Sequence, residues 1–89
     1  MGITVIVAFT VKDPEEFHRV FSAAESVRAE AGVNAKAYRP LDGTNRVYVI
    51  GTAPSEDAFT TFFKSPEQAE RLKQAGVIAP PEITMLQAL

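Results

Sequence analysis

Cysteine and tryptophan are absent from this chain of 89 residues, and histidine occurs once, at His18. Without cysteine there is no disulfide, no thiolate metal ligand and no cysteine nucleophile. A lone histidine leaves no metal site of convincing spacing, because the neighbouring Glu15 and Glu16 are better explained as acids at the start of a helix. Positive charge is not in excess either. Nine Lys and Arg against eleven Asp and Glu give a formal charge of −2, which argues against a nucleic-acid or anionic-membrane partner. No apolar stretch reaches the roughly 18–20 residues that a membrane helix needs. The chain enters a strand directly, with no basic region, apolar run and cleavage site, so a cytoplasmic protein without a membrane partner is expected. A phosphate-cradling glycine loop, a nucleophile elbow and a zinc-protease helix are also missing, and nothing calls for a cofactor.

What is present is a chain of ordinary globular composition, 46% hydrophobic and 22% charged, long enough for one domain over residues 1–89. Its clearest stretch is Ile3–Val11, rich in β-branched residues and free of Gly, Pro and charge. This reads as a strand with Ile3, Val5, Val7, Phe9 and Val11 toward a core. Its other face, with Thr4, Ile6, Ala8 and Thr10, is half apolar, which implies that something packs there too.

Asp13-Pro14-Glu15-Glu16 is a helix start, with Asp13 as cap, Pro14 in the first turn and Glu16 placed to close a capping box. Phe17, Val20, Phe21, Ala24, Val27 and Ala31 then form one helical stripe, and Gly32 supplies a left-handed end. One helix over about 14–31 is predicted. Val33–Leu41 and Arg46–Thr52 alternate around Asp42-Gly43 and read as an antiparallel hairpin. Gly51 within the second run marks a bulge or a close backbone approach.

Ser55 caps a second helix whose apolar side is Ala58, Phe59, Phe62 and Phe63. Ser65-Pro66-Glu67-Gln68 is a fresh capping signature, so that helix should break and restart there, with Ala69, Leu72 and Lys73 carrying it to Gly76. Ile83–Leu89 supplies a last strand. The order β-α-β-β-α-β, with helices on one side of a four-stranded antiparallel sheet, is a ferredoxin-like α+β sandwich. Its helix-side core takes the odd-numbered strand residues and the helix phenylalanines.

The opposite sheet face would carry Thr4, Ile6, Ala8, Tyr48, Ile50 and Leu86. It is too apolar for free solvation and too polar for a dry core, which suits a two-fold pairing of identical subunits. The expected partner is a second copy of this chain. A monomer with a partly apolar sheet is the plainer alternative.

Ala58-Phe59-Thr60-Thr61-Phe62-Phe63-Lys64-Ser65-Pro66-Glu67, followed by Ala75-Gly76-Val77, resembles the broken second helix of the dimeric α/β-barrel superfamily, in particular its antibiotic-biosynthesis-monooxygenase-like branch. The elements before it are similar in order and spacing. The resemblance implies two sheets packed face to face, a pocket between helices and sheet, and cofactor-independent oxygenase or isomerase chemistry. It departs at Phe62, where many members carry a histidine, and in having no tryptophan.

Side chains able to do chemistry are few. His18 is the obvious candidate, because an imidazole can act as acid, base or ligand, against the reading of a surface histidine pairing with Glu15 or Ser22. Tyr38 and Tyr48, with Arg39 and Arg46 beside them, can bind an anion or simply pack across strands. Phe9, Phe17, Phe21, Phe59 and Phe62 line a pocket for a small apolar molecule or are simply core. Ala35, Ala37 and Gly51 beneath them are small enough to leave a void. Two functions stay open: a small-molecule-binding enzyme, and a non-catalytic assembly or regulatory module that uses its sheet face for self-association.

Overall fold

The computed structural model describes residues 2–89. Strand β1 (Ile3–Thr10) leads into helices α1 (Pro14–Ala23) and α2 (Glu25–Glu30), then β2 (Asn34–Tyr38) and β3 (Arg46–Ala53). Helices α3 (Glu56–Phe63) and α4 (Pro66–Gln74) follow, and β4 (Glu82–Leu86) completes the sheet. The strand order is β2-β3-β1-β4 with every neighbouring pair antiparallel. This is the ferredoxin-like α+β sandwich read from the sequence, with helices on one face only.

Period-two patterning sets the faces. Val5, Val7, Phe9 and, just past the strand, Val11 are buried toward the helices, with Val47 beside them. They join Phe17, Phe59, Val33, Ala53 and Ala75 in one core cluster. Thr4, Ile6 and Ala8 point the other way, paired with Thr52, Ile50 and Tyr48 of β3. Across β4, Thr4 faces Leu86.

The helix starts follow their capping chemistry. Asp13 accepts from the Glu15 amide at 3.0 Å, Ser55 from the Ala58 amide at 3.1 Å, and Ser65 from the Gln68 amide at 3.2 Å. Glu16 does not close a capping box. It turns outward and pairs with Arg19 one turn on. Gly32, at φ 77°, supplies the left-handed end of the first helical arm.

Three expectations are corrected, and the choice left open at Gly51 is decided. The first arm is two helices, not one: at Ala24 (φ −97°, ψ 14°) the turn tightens, its N–H reaching back to Phe21 O at 3.2 Å. Strand β2 stops at Tyr38, because Pro40 removes a ladder donor and the chain leaves the sheet as a loop through Asp42 and Gly43. There Asp42 Oδ1 accepts from both the amide and the hydroxyl of Thr44. Gly51 marks no bulge, since pairing runs unbroken through Val5, Gly51 and Ala35. It is a close approach: a Cβ there would lie 2.0 Å from Asn34 O and 2.6 Å from Ala35 Cα. Finally, β4 covers Glu82–Leu86, and both its faces are exposed, including Ile83 and Met85 on the helix side. It is an edge strand that the helices do not reach across.

Candidate functional site

The two helical arms lean on the sheet above its smallest residues. Ala35, Gly51 and Val49 form a floor, and Phe9, Phe17, Phe21, Phe59, Phe62 and Phe63 form walls, around a cavity of about 70 Å³. All five phenylalanines singled out in the sequence line it. The rings pack in two stacked pairs, Phe17 with Phe21 at 6.0 Å and Phe59 with Phe63 at 5.4 Å between centroids. Phe9 joins the pairs from the sheet, 5.0 Å from Phe17 and 6.3 Å from Phe63.

Three polar side chains complete the lining: Arg28, Gln68 and Arg71. Sequence reasoning passed over all three. It placed Val27 on the first stripe, but Val27 is exposed and Arg28 takes the inward position. Spacing could have found it, since Phe21, Ala24 and Arg28 recur at helical intervals of three and four. The second arm holds the same lesson. Ala69 and Lys73 face solvent, and the inward stripe is Gln68, Arg71, Leu72 and Ala75.

Arg28 is only 9% exposed. Its guanidinium lies 3.6 Å from the centre of the Phe21 ring, and Nη1 donates to Phe21 O at 2.6 Å, the carbonyl that also accepts from the Ala24 amide where the first arm breaks. Among the described residues no carboxylate forms an ion pair with it. Burial pushes the Arg28 pKa down from its ordinary value, Glu25 pulls it back up, and the positive charge of Arg71 pushes it down again. Arg71 is held by Nε donating to Gln68 Oε1 at 3.0 Å and stands 5.9 Å from the Phe62 ring. Phe62 and Arg71 also line a shallow surface cleft with Val27, Ala58 and Thr61, so they form the wall between cavity and solvent.

The titratable candidates lie elsewhere. His18 is exposed, with Nε2 3.4 Å from Ser22 Oγ, and sits in an open cleft with Glu15, Tyr38 and Arg39. The structure thus brings His18 and Tyr38 to one cleft but puts neither in the cavity. Tyr48 pairs with Tyr38 on the sheet face away from the helices. Arg46 shares that face, 5.5 Å from the Tyr48 ring and 3.4 Å from Glu82. Thr4, Ile6, Ala8, Ile50 and Leu86 occupy it as well, with Ile50 38% and Leu86 43% exposed. Among the described residues no three His, Asp or Glu side chains converge to hold a metal ion, and no helix is long and apolar enough to cross a membrane.

No family model matches the chain, and no curated protein matches it in sequence. Solved structures do match in three dimensions. A protein from Bordetella bronchiseptica assigned to the antibiotic biosynthesis monooxygenases superposes with a TM-score of 0.82 at 19% identity, over 99% of this chain and 97% of that one. SnoaB, a cofactor-independent oxygenase from Streptomyces nogalater, gives 0.78 at 23% identity, over 99% and 93%. The monooxygenase from ActVA-Orf6 of Streptomyces coelicolor, solved with the ligand nanaomycin D, gives 0.65 at 23%, over 99% and 88%. The fold of the chain is the one that these solved structures share. The resemblance read from the broken second helix therefore holds for the architecture along the whole chain.

Proposed function

We propose that this chain is a homodimeric, cofactor-independent oxygenase-like or isomerase-like protein that binds a small aromatic molecule between its helices and its sheet. The observation that carries the reading is the phenylalanine-lined cavity over Ala35 and Gly51. A stable core of this composition fills itself, because each lost contact costs free energy. Here small floor residues sit under large rings, and the space remains. At about 70 Å³ it is smaller than the roughly 150 Å³ that admits benzene, so entry requires Phe62 and Phe21 to swing outward. Both rings are only partly buried, unlike Phe17 and Phe59. SnoaB and the ActVA-Orf6 protein, which share the fold, support the same reading.

The other sheet face supports the dimer. Half-buried Ile6 and Ala8 lie beside exposed Ile50 and Leu86, a mixed surface that a second sheet would cover. Two jobs are thus divided between two faces of one sheet.

The test is a fluorescence titration with the neutral aromatic N-phenyl-1-naphthylamine. Wild type should bind it, and Ala35→Leu, which fills the floor, should weaken binding at least tenfold while leaving the thermal transition within a few degrees. Undiminished binding by Ala35→Leu would place the ligand elsewhere and remove the cavity as the site.

A further inference from the structure

Each helical arm ends in one inward arginine, Arg28 from α2 and Arg71 from α4, and both reach the same apolar cavity. A cation in a phenylalanine-lined space is costly unless an anion or several acceptors answer it. The fold answers incompletely. Arg28 carries five donors on a rigid fork, and one carbonyl, Phe21 O, is its hydrogen-bonded acceptor among the described residues. Asp57 and Glu67 line the outer cleft near Arg71, yet neither forms an ion pair with it. Glu25, the acid whose field reaches Arg28, is exposed on the outside of α2. Two like charges therefore share a cavity whose other lining, Gln68 apart, is apolar.

We infer that Arg28 and Arg71 recognise an ionised oxygen group on the aromatic ligand, so that the cavity selects acidic aromatics: phenolates, enolates or carboxylates. This rests on the cavity being the ligand site and deepens that reading by naming what the ligand must carry. Arg71, on the wall shared with the surface cleft, meets the anion first. Arg28 receives it deeper, where its guanidinium lies over the Phe21 ring. No carboxylate, histidine or lysine lines the cavity, and a guanidinium offers donors and no acceptor. The site thus takes a ligand already ionised in solution, and holds it as the anion.

Two fluorophores of matched shape test this: N-phenyl-1-naphthylamine, which is neutral, and 8-anilinonaphthalene-1-sulfonate, which adds one anionic group. Charge-assisted hydrogen bonds of this kind are worth about a tenfold change in affinity or more. Arg71→Gln and Arg28→Gln should each weaken the sulfonate about tenfold more than they weaken the neutral probe. Arg28→Lys should restore part of the sulfonate's affinity. Should Arg28→Gln fail to fold, the half-exposed Arg71→Gln carries the comparison by itself. Equal losses for both probes, or none for either, would overturn the assignment while leaving the cavity as the site. Failure of Ala35→Leu to weaken the neutral probe would overturn the cavity reading, and this inference with it.

Discussion

The two faces of the sheet are built from the same strands and behave oppositely. On the helix side, Val5, Val7, Phe9 and Val47 are each at most 4% exposed, and the residues beneath the arms shrink to Ala35 and Gly51. On the other side, Thr4, Ile6, Ala8, Tyr48 and Ile50 alternate polar and apolar, and none is buried. Period-two geometry makes this division automatic, since each residue's face is fixed by its neighbour's. The lesson is that burial alone does not mark function here. The well-filled part of the helix side is structural, the cavity under the phenylalanines is the candidate site, and the open face is the candidate interface.

The sharpest break of that contrast is Gly51→Val. A Cβ at this position meets backbone, not a movable side chain, so β2 and β3 must separate. The expected loss is at least about 3 kcal/mol, beyond ordinary overpacking. Chemical denaturation would read it, and a loss below 1 kcal/mol would show that the strands can part cheaply.

Next come the rings within the helix side. Phe17 is fully packed, so Phe17→Ala should cost about 3–5 kcal/mol. Phe21 borders the cavity and is partly exposed, so Phe21→Ala should cost clearly less, about 1–2 kcal/mol. Equal costs would mean that the cavity wall is as tightly packed as the core.

The open face is tested by Ile6→Lys. A lysine opposite Ile50 and Thr84 should abolish subunit pairing, seen as a halved mass in solution, with the helical circular dichroism retained. Complete unfolding would mean that Ile6 belongs to a core. The smallest effect is expected at the break in the second arm. Ser65→Ala removes the acceptor of the Gln68 amide and should cost about 1 kcal/mol without altering either face.

Much of this was legible in the sequence, for identifiable reasons. Asp13-Pro14, Ser55 and Ser65-Pro66 announce helix starts because capping is local chemistry between residues two or three apart. The strand faces were legible because alternation is local as well. The break at Ala24 was not, since alanine carries no breaking signal and the side chain that bonds the Phe21 carbonyl there is Arg28, seven residues away. Arg28 and Arg71 were passed over because a charged residue on an apolar stripe reads as solvated until tertiary packing encloses it. The exposure of Ile83 and Met85 depends on how far the helices extend over an edge strand, which no local pattern encodes. His18, the most conspicuous residue in the sequence, sits outside the cavity, and the arginines that read as solvated line it.

The most direct test of the division between the two faces is native mass spectrometry of the wild-type protein with 2-naphthoate, an aromatic carboxylate. The account predicts a dimer carrying one naphthoate per subunit. A bare monomer would contradict it on both faces at once.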